Sequence, residues 1–221
     1  MKPRIVPRPD LVRSAKRQPF PWNGRVVGIG ASAGGAEALM EIVAQLPPDG
    51  PPILIVQHIP ALFVKGLAEH LDRASPSRVV VAEAGTPLSV GHAYLAPTDR
   101  HLVLGRPAGG PATWCCRFDS APEVNGFRPS VDVLFTSLAQ IGEKAVGVIL
   151  SGLGRDGAAG LLALRQAGGR TLGQNAASSI VYGMPKAAME VGAVERQGTP
   201  AGLAAQILRL CRTHEGRTSD A

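Results

Sequence analysis

Aromatic residues are scarce in this sequence of 221 residues, at 4% of the total. Glycine, by contrast, occurs 27 times, and 45% of the residues are hydrophobic. Such a composition argues against an all-β sandwich and favours the aliphatic packing and tight strand–helix turns of an α/β protein. The length suits one core of ordinary size.

Cysteine is also rare, with adjacent Cys115 and Cys116 and a distant Cys211. An odd number without ligand spacing indicates neither a disulfide framework nor a zinc site. We therefore predict reduced thiols, no bound metal and no cofactor.

No apolar run approaches the roughly 20 residues that span a bilayer, and the N-terminus lacks the apolar segment of a secretory signal. These absences predict a cytoplasmic protein without membrane insertion.

The net charge of +6 lies entirely in the first 25 residues, which carry seven basic side chains, one acidic side chain and five prolines. The rest of the chain is neutral, which argues against a nucleic-acid partner. We predict a basic, proline-rich arm or linker over 1–25, one domain over 26–212 and a flexible tail over 213–221. The arm is either a solvated leader or a segment that contacts an acidic partner surface.

Short aliphatic runs alternate with helical patterns through the domain. This order predicts a doubly wound parallel sheet flanked by helices, with a small antiparallel hairpin excursion around residues 93–118. The predicted strands are VVGIG, PILIVQ, RVVVAEA, VGVILSG and RTLGQ, and the predicted helices cover 36–46, 61–73, 130–141, 158–167, 184–192 and 199–211.

The stretch VVGIGASAGGAEALM, residues 26–40, fits two kinds of site. Gly28-x-Gly30-x-x-Ala33 is typical of a dinucleotide-binding loop, whereas Gly30-Ala31-Ser32-Ala33-Gly34 is typical of a turn that exposes a nucleophilic serine. A dinucleotide site also needs an acidic residue at the end of the second strand, where this chain has Gln57-His58.

Three predicted strand ends carry the residue types of a serine hydrolase: Ser32, His58 and Asp156. Serine needs an imidazole to take its proton, and the imidazole needs an acid to orient it. Taken singly, each residue has a structural explanation as a helix cap or a buried histidine. Asp132 is a competing acid that we expect to be structural, since it lies about one turn into a predicted helix. His92 and His101 are expected at the surface or rim, and Ser178 and Ser179 have no base nearby in the sequence.

Five motifs in order resemble the catalytic domain of the chemotaxis-receptor methylesterase (CheB) family, over about 26–210. They are GIGASAGGAEAL, VQHIP, FRPSVDVLF, GVILSGLGRDGAAGLLALRQAGG and YGMPKAA. The resemblance implies a serine carboxylesterase that hydrolyses glutamate γ-methyl esters on the cytoplasmic helices of chemoreceptors, with receptor-glutamine deamidation in some members.

By the same resemblance, Ser32 matches the nucleophile, His58 the base and Asp156 the acid. Oxyanion or substrate contacts are expected from Ala33, Leu153, Gly154 and Met184. Ala33 stands where relatives often have threonine, Leu153 stands where they have methionine, and Asn175 lies where many carry an acid.

Regulated members of that family carry a receiver domain before the esterase, and we expect none in this chain. The chain is either a stand-alone esterase or a fragment that begins in the linker. Two other functions stay open at this point. One is a nucleotide-binding α/β enzyme that uses the Gly28–Gly35 loop, and the other is a catalytically silent module that binds receptors.

Overall fold

A seven-stranded parallel sheet forms the centre of the computed structural model, which describes residues 18–106 and 114–213. Within these residues the strands are, in chain order, β1 Val26–Ala31, β2 Ile53–Gln57, β3 Arg78–Val81, β4 His92–Leu95, β5 His101–Gly105, β6 Cys115–Asp119, β7 Ala145–Ile149, β8 Arg170–Gln174 and β9 Arg196–Gly198. The sheet order is β3-β4-β2-β1-β7-β8-β9, while β5 and β6 form a separate antiparallel pair.

Helices cover both faces of the sheet, as the continuous apolar runs of β1, β2 and β7 predict. The helices are α1 Gly35–Val43, α2 Ala61–Ala74, α3 Val131–Ala139, α4 Ala158–Gln166, α5 Met184–Glu190 and α6 Pro200–Cys211. Apolar residues of α1, α2 and α6 share one core cluster, and those of α3, α4 and α5 share the other. Within the described ranges, no helix combines the length and apolar character that crossing a membrane requires.

The doubly wound sheet is confirmed, and the antiparallel excursion is confirmed as the pair of β5 and β6. The first run assigned to that excursion, AYLAP, instead supplies β4, which pairs in parallel with both β2 and β3. Flanking glycine and proline suggested a hairpin, yet Ala93, Tyr94 and Leu95 are buried as an inner strand requires. The three-residue β9 at the sheet edge was not predicted.

The last residues of the predicted arm pack on the domain. Asn23 donates its N–H to the carbonyl of Cys211 at 2.9 Å, and Phe20 and Trp22 contact the core on the α6 side. The folded unit therefore includes this segment. The rest of the arm, residues 1–17, and residues 214–221 of the tail lie outside the described part.

The sheet changes direction of growth at β1, because β2 lies on one side of it and β7 on the other. In doubly wound sheets, ligands bind in the crevice beyond the carboxyl ends of the strands at such a switch point. The ends of β2, β1 and β7 are therefore where this fold places a functional site.

Candidate active site

The three predicted catalytic side chains follow three neighbouring strands. Ser32 follows β1, His58 follows β2, and Asp156 lies between β7 and α4. The Nε2 of His58 is 2.9 Å from Oδ2 of Asp156. Ser32 and His58 line one open cavity of about 520 Å³, together with Ile59, Pro60, Ala61, Thr98, Phe127, Arg128 and Pro129.

The turn after β1 presents Ser32 at the start of α1. Gly34 has φ +73°, a left-handed conformation that glycine adopts without strain, and it lets the chain reverse directly into the helix. The Ser32 N–H donates to the carbonyl of Ser151, and its own carbonyl accepts from the side-chain amide of Gln57 at 2.8 Å. The backbone of Ser32 is thus tied to both neighbouring strand ends.

Gly28 and Gly30 have a different task from the one that the dinucleotide pattern suggests. Both lie inside β1, and a Cβ at either position would collide with side chains of α3: Leu138 at Gly28 and Val131 at Gly30. These glycines allow close helix–sheet packing, so the Gly28-x-Gly30 pattern here forms no phosphate-binding turn.

Asp156 is fully buried and has donors on both carboxylate oxygens. Burial disfavours the ionised form, but hydrogen bonds outweigh it and hold the pKa of Asp156 below its usual value. The donors are His58 Nε2, Ser130 Oγ at 2.7 Å, the Val131 N–H at 2.7 Å, the Asp132 N–H at 3.2 Å and Asn125 Nδ2 at 3.1 Å. Two of these are N–H groups at the start of α3, where a negative charge is favoured.

The His58 ring is held in one plane from two directions. The Phe127 ring stacks on it with centroids 3.7 Å apart and planes 2° apart, while Nε2 faces Asp156. Because the carboxylate accepts a hydrogen bond from Nε2–H, the neutral imidazole has its lone pair on Nδ1. That Nδ1 is buried and has no hydrogen-bond partner among the described residues.

The turn after β7 lies directly against the serine. A Cβ on Gly152 would come within 2.8 Å of Ser32 Cβ, so the two residues are in close contact. The Leu153 side chain is 69% exposed, and Gly154 continues the turn with φ +85°. Across the described ranges, neither the Leu153 N–H nor the Ala33 N–H has an acceptor.

Met184, the fourth predicted contact, is fully buried under Gly152. Its side chain has no exposed surface with which to touch a substrate. Its N–H donates to the Gly152 carbonyl at 2.8 Å, so Met184 supports the turn from below.

With this geometry established, comparison with known proteins decides the family. The family model described as CheB methylesterase matches residues 27–207, which include all three strand ends. The chain belongs to the CheB methylesterase family.

Curated relatives of this CheB family chain are named protein-glutamate methylesterase/protein-glutamine glutaminase. The Caulobacter vibrioides relative is 49% identical over 88% of this chain and 56% of its own length, and the Agrobacterium fabrum relative is 48% identical over 92% and 58%. The chain thus spans a little over half the length of these relatives. The crystal structure of the Thermotoga maritima CheB methylesterase catalytic domain matches with a TM-score of 0.81 and 34% identity, over 85% of this chain and 98% of that one.

The competing residues lie at other positions in this CheB-like fold. Asp132 has no direct contact with His58; it accepts from the Gly160 N–H and from Asn125. Burial and the nearby Asp156 charge raise the pKa of Asp132. His101 was expected on the surface but is fully buried, where it accepts from the Ser130 N–H, because β5 packs on α3.

Two other serines make hydrogen bonds away from His58, and two cysteine thiols are buried. Ser178 and Ser179 hydrogen-bond to Asn175. Burial raises the pKa of Cys116 and of Cys211 to about 12, so neither thiol ionises near neutral pH.

Several supporting residues escaped sequence reasoning. Gln57 ties the Ser32 and His58 carbonyls together, Ser151 donates to the Ala33 carbonyl, and Gln174 accepts from the Ser151 N–H. Their side chains act on residues up to 118 positions away. Only the Asn125-Gly126 pair gave a local signal, since that dipeptide marks a tight turn.

Proposed function

We propose that this chain hydrolyses γ-methyl esters of glutamate side chains on the cytoplasmic helices of chemotaxis receptors. One observation supports the proposal: in a member of a methylesterase family, His58 pairs with Asp156 and lines the same cavity as Ser32 at the switch point of the sheet. The relatives' names support a glutamate methyl ester as substrate, and the receptor helices and the cytoplasmic location are part of the proposal.

Ser32 is the proposed nucleophile, and Nδ1 of His58 is the proposed base. The hydrogen bond from Nε2 to Asp156 fixes the tautomer and leaves Nδ1 free to accept the serine proton. As Oγ attacks the ester carbonyl, the imidazole becomes positively charged. The buried, ionised Asp156 stabilises that charge at a distance of 2.9 Å.

The N–H groups of Ala33 and Leu153, which have no acceptor among the described residues, are the proposed oxyanion donors. Both flank Ser32, one in the next residue and the other in the turn that touches it through Gly152. Backbone donors of this kind stabilise charge that develops only in the transition state. Ala33 supplies no hydroxyl, so the donor at that position is the backbone alone.

The tetrahedral intermediate then collapses with cleavage of the bond to the methoxy oxygen. Imidazolium returns its proton to that oxygen, methanol leaves, and the glutamyl group stays on Ser32 as an ester. Water, deprotonated by His58, releases the glutamate carboxylate and restores the serine. The same steps on a glutamine amide release ammonia, in keeping with the glutaminase activity in the relatives' names.

The test is methanol release from receptor membranes that carry labelled methyl esters. Wild type is expected to release methanol, and Ser32→Ala is expected to lose the activity by about 10⁴-fold or more. Ser89→Ala is the matched control, because Ser89 is exposed and lies outside the cavity. Its rate should equal that of wild type.

Activity that persists in Ser32→Ala would overturn the nucleophile assignment. No activity in any variant, with receptor binding retained, would favour a silent receptor-binding module. For the nucleotide-binding alternative, NAD and ATP are titrated in a thermal-shift assay. We expect no increase in melting temperature, since specific binding to the native state would raise it.

A further inference from the structure

A tight turn over residues 124–127 borders the His58–Asp156 pair. Val124 and Phe127 exchange two backbone hydrogen bonds of 3.1 and 3.0 Å, and the two residues between them have φ +55° and +78°. Left-handed values at both central positions define a type I′ turn, which Asn-Gly forms readily. The local sequence therefore determines this turn independently of the site.

The first central residue, Asn125, reaches two carboxylates with one amide group. Its Nδ2 is 2.7 Å from Oδ2 of Asp132 and 3.1 Å from Oδ1 of Asp156. Amide nitrogen carries two hydrogens, so one donor is available to each carboxylate. Without the Asn125 amide, the carboxylates of Asp132 and Asp156 would lose the shared donor that lies between them.

The last residue of the turn, Phe127, covers the face of the His58 ring. The two rings are parallel within 2°, at a centroid distance of 3.7 Å. One short turn thus contacts both members of the acid–base pair, the carboxylate through Asn125 and the imidazole through Phe127.

We propose that the Val124–Phe127 turn is a positioning element for catalysis, in which Asn125 orients Asp156 and separates it from Asp132 while Phe127 holds the plane of His58. The proposal rests on the function proposed above. Asn125 does not line the 520 Å³ cavity, so its effect reaches the substrate through Asp156 and His58.

The charged groups around the His58–Asp156 pair determine whether a substitution at Asn125 favours the protonated or the neutral imidazole. Asp156 contacts the imidazole directly, and Asp132 reaches Asp156 through the Asn125 amide. On the basic side, Arg128 lines the same cavity as His58, and Arg155 lines a second cavity with Asn125 and Asp132. A carboxylate in place of the Asn125 amide adds negative charge beside Asp156 and favours the protonated imidazole.

Two substitutions separate orientation from charge. Asn125→Asp keeps the shape and tolerates the left-handed backbone, and Asn125→Gly removes the amide in a turn that glycine also favours. Gln45→Glu is the matched control, because it makes the same amide-to-carboxylate change at an exposed position near the end of α1.

Titration of the His58 imidazole by NMR needs no substrate. In Asn125→Asp its midpoint should move to higher pH by about half a unit or more, and the acid limb of kcat/KM should move with it. In Asn125→Gly, kcat should fall about tenfold with KM unchanged, since the lost hydrogen bond is to a charged group outside the binding cavity. Gln45→Glu should match wild type in every measurement.

An imidazole titration in Asn125→Asp that coincides with wild type would overturn the proposal, as would a wild-type kcat in Asn125→Gly. Failure of the proposed function has a different signature. In that case wild type releases no methanol, yet the His58 midpoint still moves in Asn125→Asp and stays in place in Gln45→Glu.

Discussion

Around Asp156 the polar atoms are paired, whereas around Ser32 several are not. The carboxylate is buried and accepts from two helix N–H groups, a hydroxyl, an amide and an imidazole. Beside Ser32, the Ala33 and Leu153 N–H groups lack acceptors among the described residues, and the Leu153 side chain is mostly exposed. We call these the acid–base side and the nucleophile side.

The two sides have different roles in the proposed reaction. Orientation of the imidazole must precede substrate binding, so its partners are supplied by the folded chain and are shielded from water. Oxyanion donors must stay free until charge appears on the substrate, so the folded chain leaves them unpaired. Substitutions on the acid–base side should therefore cost stability as well as activity, and those at the serine should cost activity alone.

Asp156→Asn should have the largest combined effect. Whichever carboxylate oxygen the asparagine NH₂ replaces, it would face a group that now donates: Ser130 Oγ at the Oδ1 position or the Val131 N–H at the Oδ2 position. We expect kcat to fall by about 10³–10⁴-fold, and the free energy of unfolding by about 3 kcal/mol, measured in urea. Ser32→Ala should leave the free energy of unfolding within about 0.5 kcal/mol of wild type.

The control for that comparison is Asp99→Asn, which removes an exposed carboxylate that pairs with Arg100. Asp99→Asn should change the free energy of unfolding by less than about 1 kcal/mol. Equal stability of Asp156→Asn and wild type would show that the buried hydrogen bonds do not stabilise the fold, and the contrast between the two sides would be lost.

The residues at the strand ends could be predicted from the sequence because the signal for each strand is local. An apolar run identifies β1, β2 or β7, and parallel strands bring their carboxyl ends to one edge, so Ser32, His58 and Asp156 could be predicted to meet. The contact itself depends on strand order, which no single run encodes. The interruption by Gly and Pro around β4 concealed an inner strand for the same reason.

The glycines of β1 show more clearly what a sequence pattern cannot predict. A sequence pattern records that Gly28 and Gly30 lack side chains but not which neighbour needs the space. The neighbour is α3, about a hundred residues later in the chain, with Leu138 and Val131 in the positions that Cβ atoms would occupy. The Asn125 contacts with two carboxylates depend likewise on how α3 and the turn before α4 meet in space.

Gly152→Ala tests how much disturbance the nucleophile side tolerates. The new Cβ would lie 2.8 Å from Ser32 Cβ and even closer to Met184 Sδ, which is buried and has little room to move. Either the serine or the turn must shift by a fraction of an ångström. We expect kcat to fall about 10²-fold, with a loss of about 1–3 kcal/mol in the free energy of unfolding.

Gly66→Ala is the matched control for Gly152→Ala, because a Cβ at this position within α2 meets no atom within 4 Å. It should keep the wild-type rate and gain up to about 1 kcal/mol in stability. Wild-type kcat in Gly152→Ala would mean that the turn after β7 need not touch Ser32 for activity, and the Leu153 N–H would lose its assigned task.

The pH dependence of stability offers a smaller effect with a definite sign. Asp156 has a pKa below its unfolded value, so its ionised form stabilises the fold above about pH 4, and that contribution disappears as the pH falls through the folded pKa. For Asp132, whose pKa is raised, ionisation costs stability, and the cost is relieved on acidification. Urea unfolding of wild type and Asp156→Asn from pH 7 to pH 3 measures the Asp156 contribution together with its effect on Asp132, whose pKa the Asp156 charge raises. The difference in free energy between them should narrow below about pH 4. If the difference in the free energy of unfolding stays constant across that range, the ionisation of Asp156 does not stabilise the acid–base side.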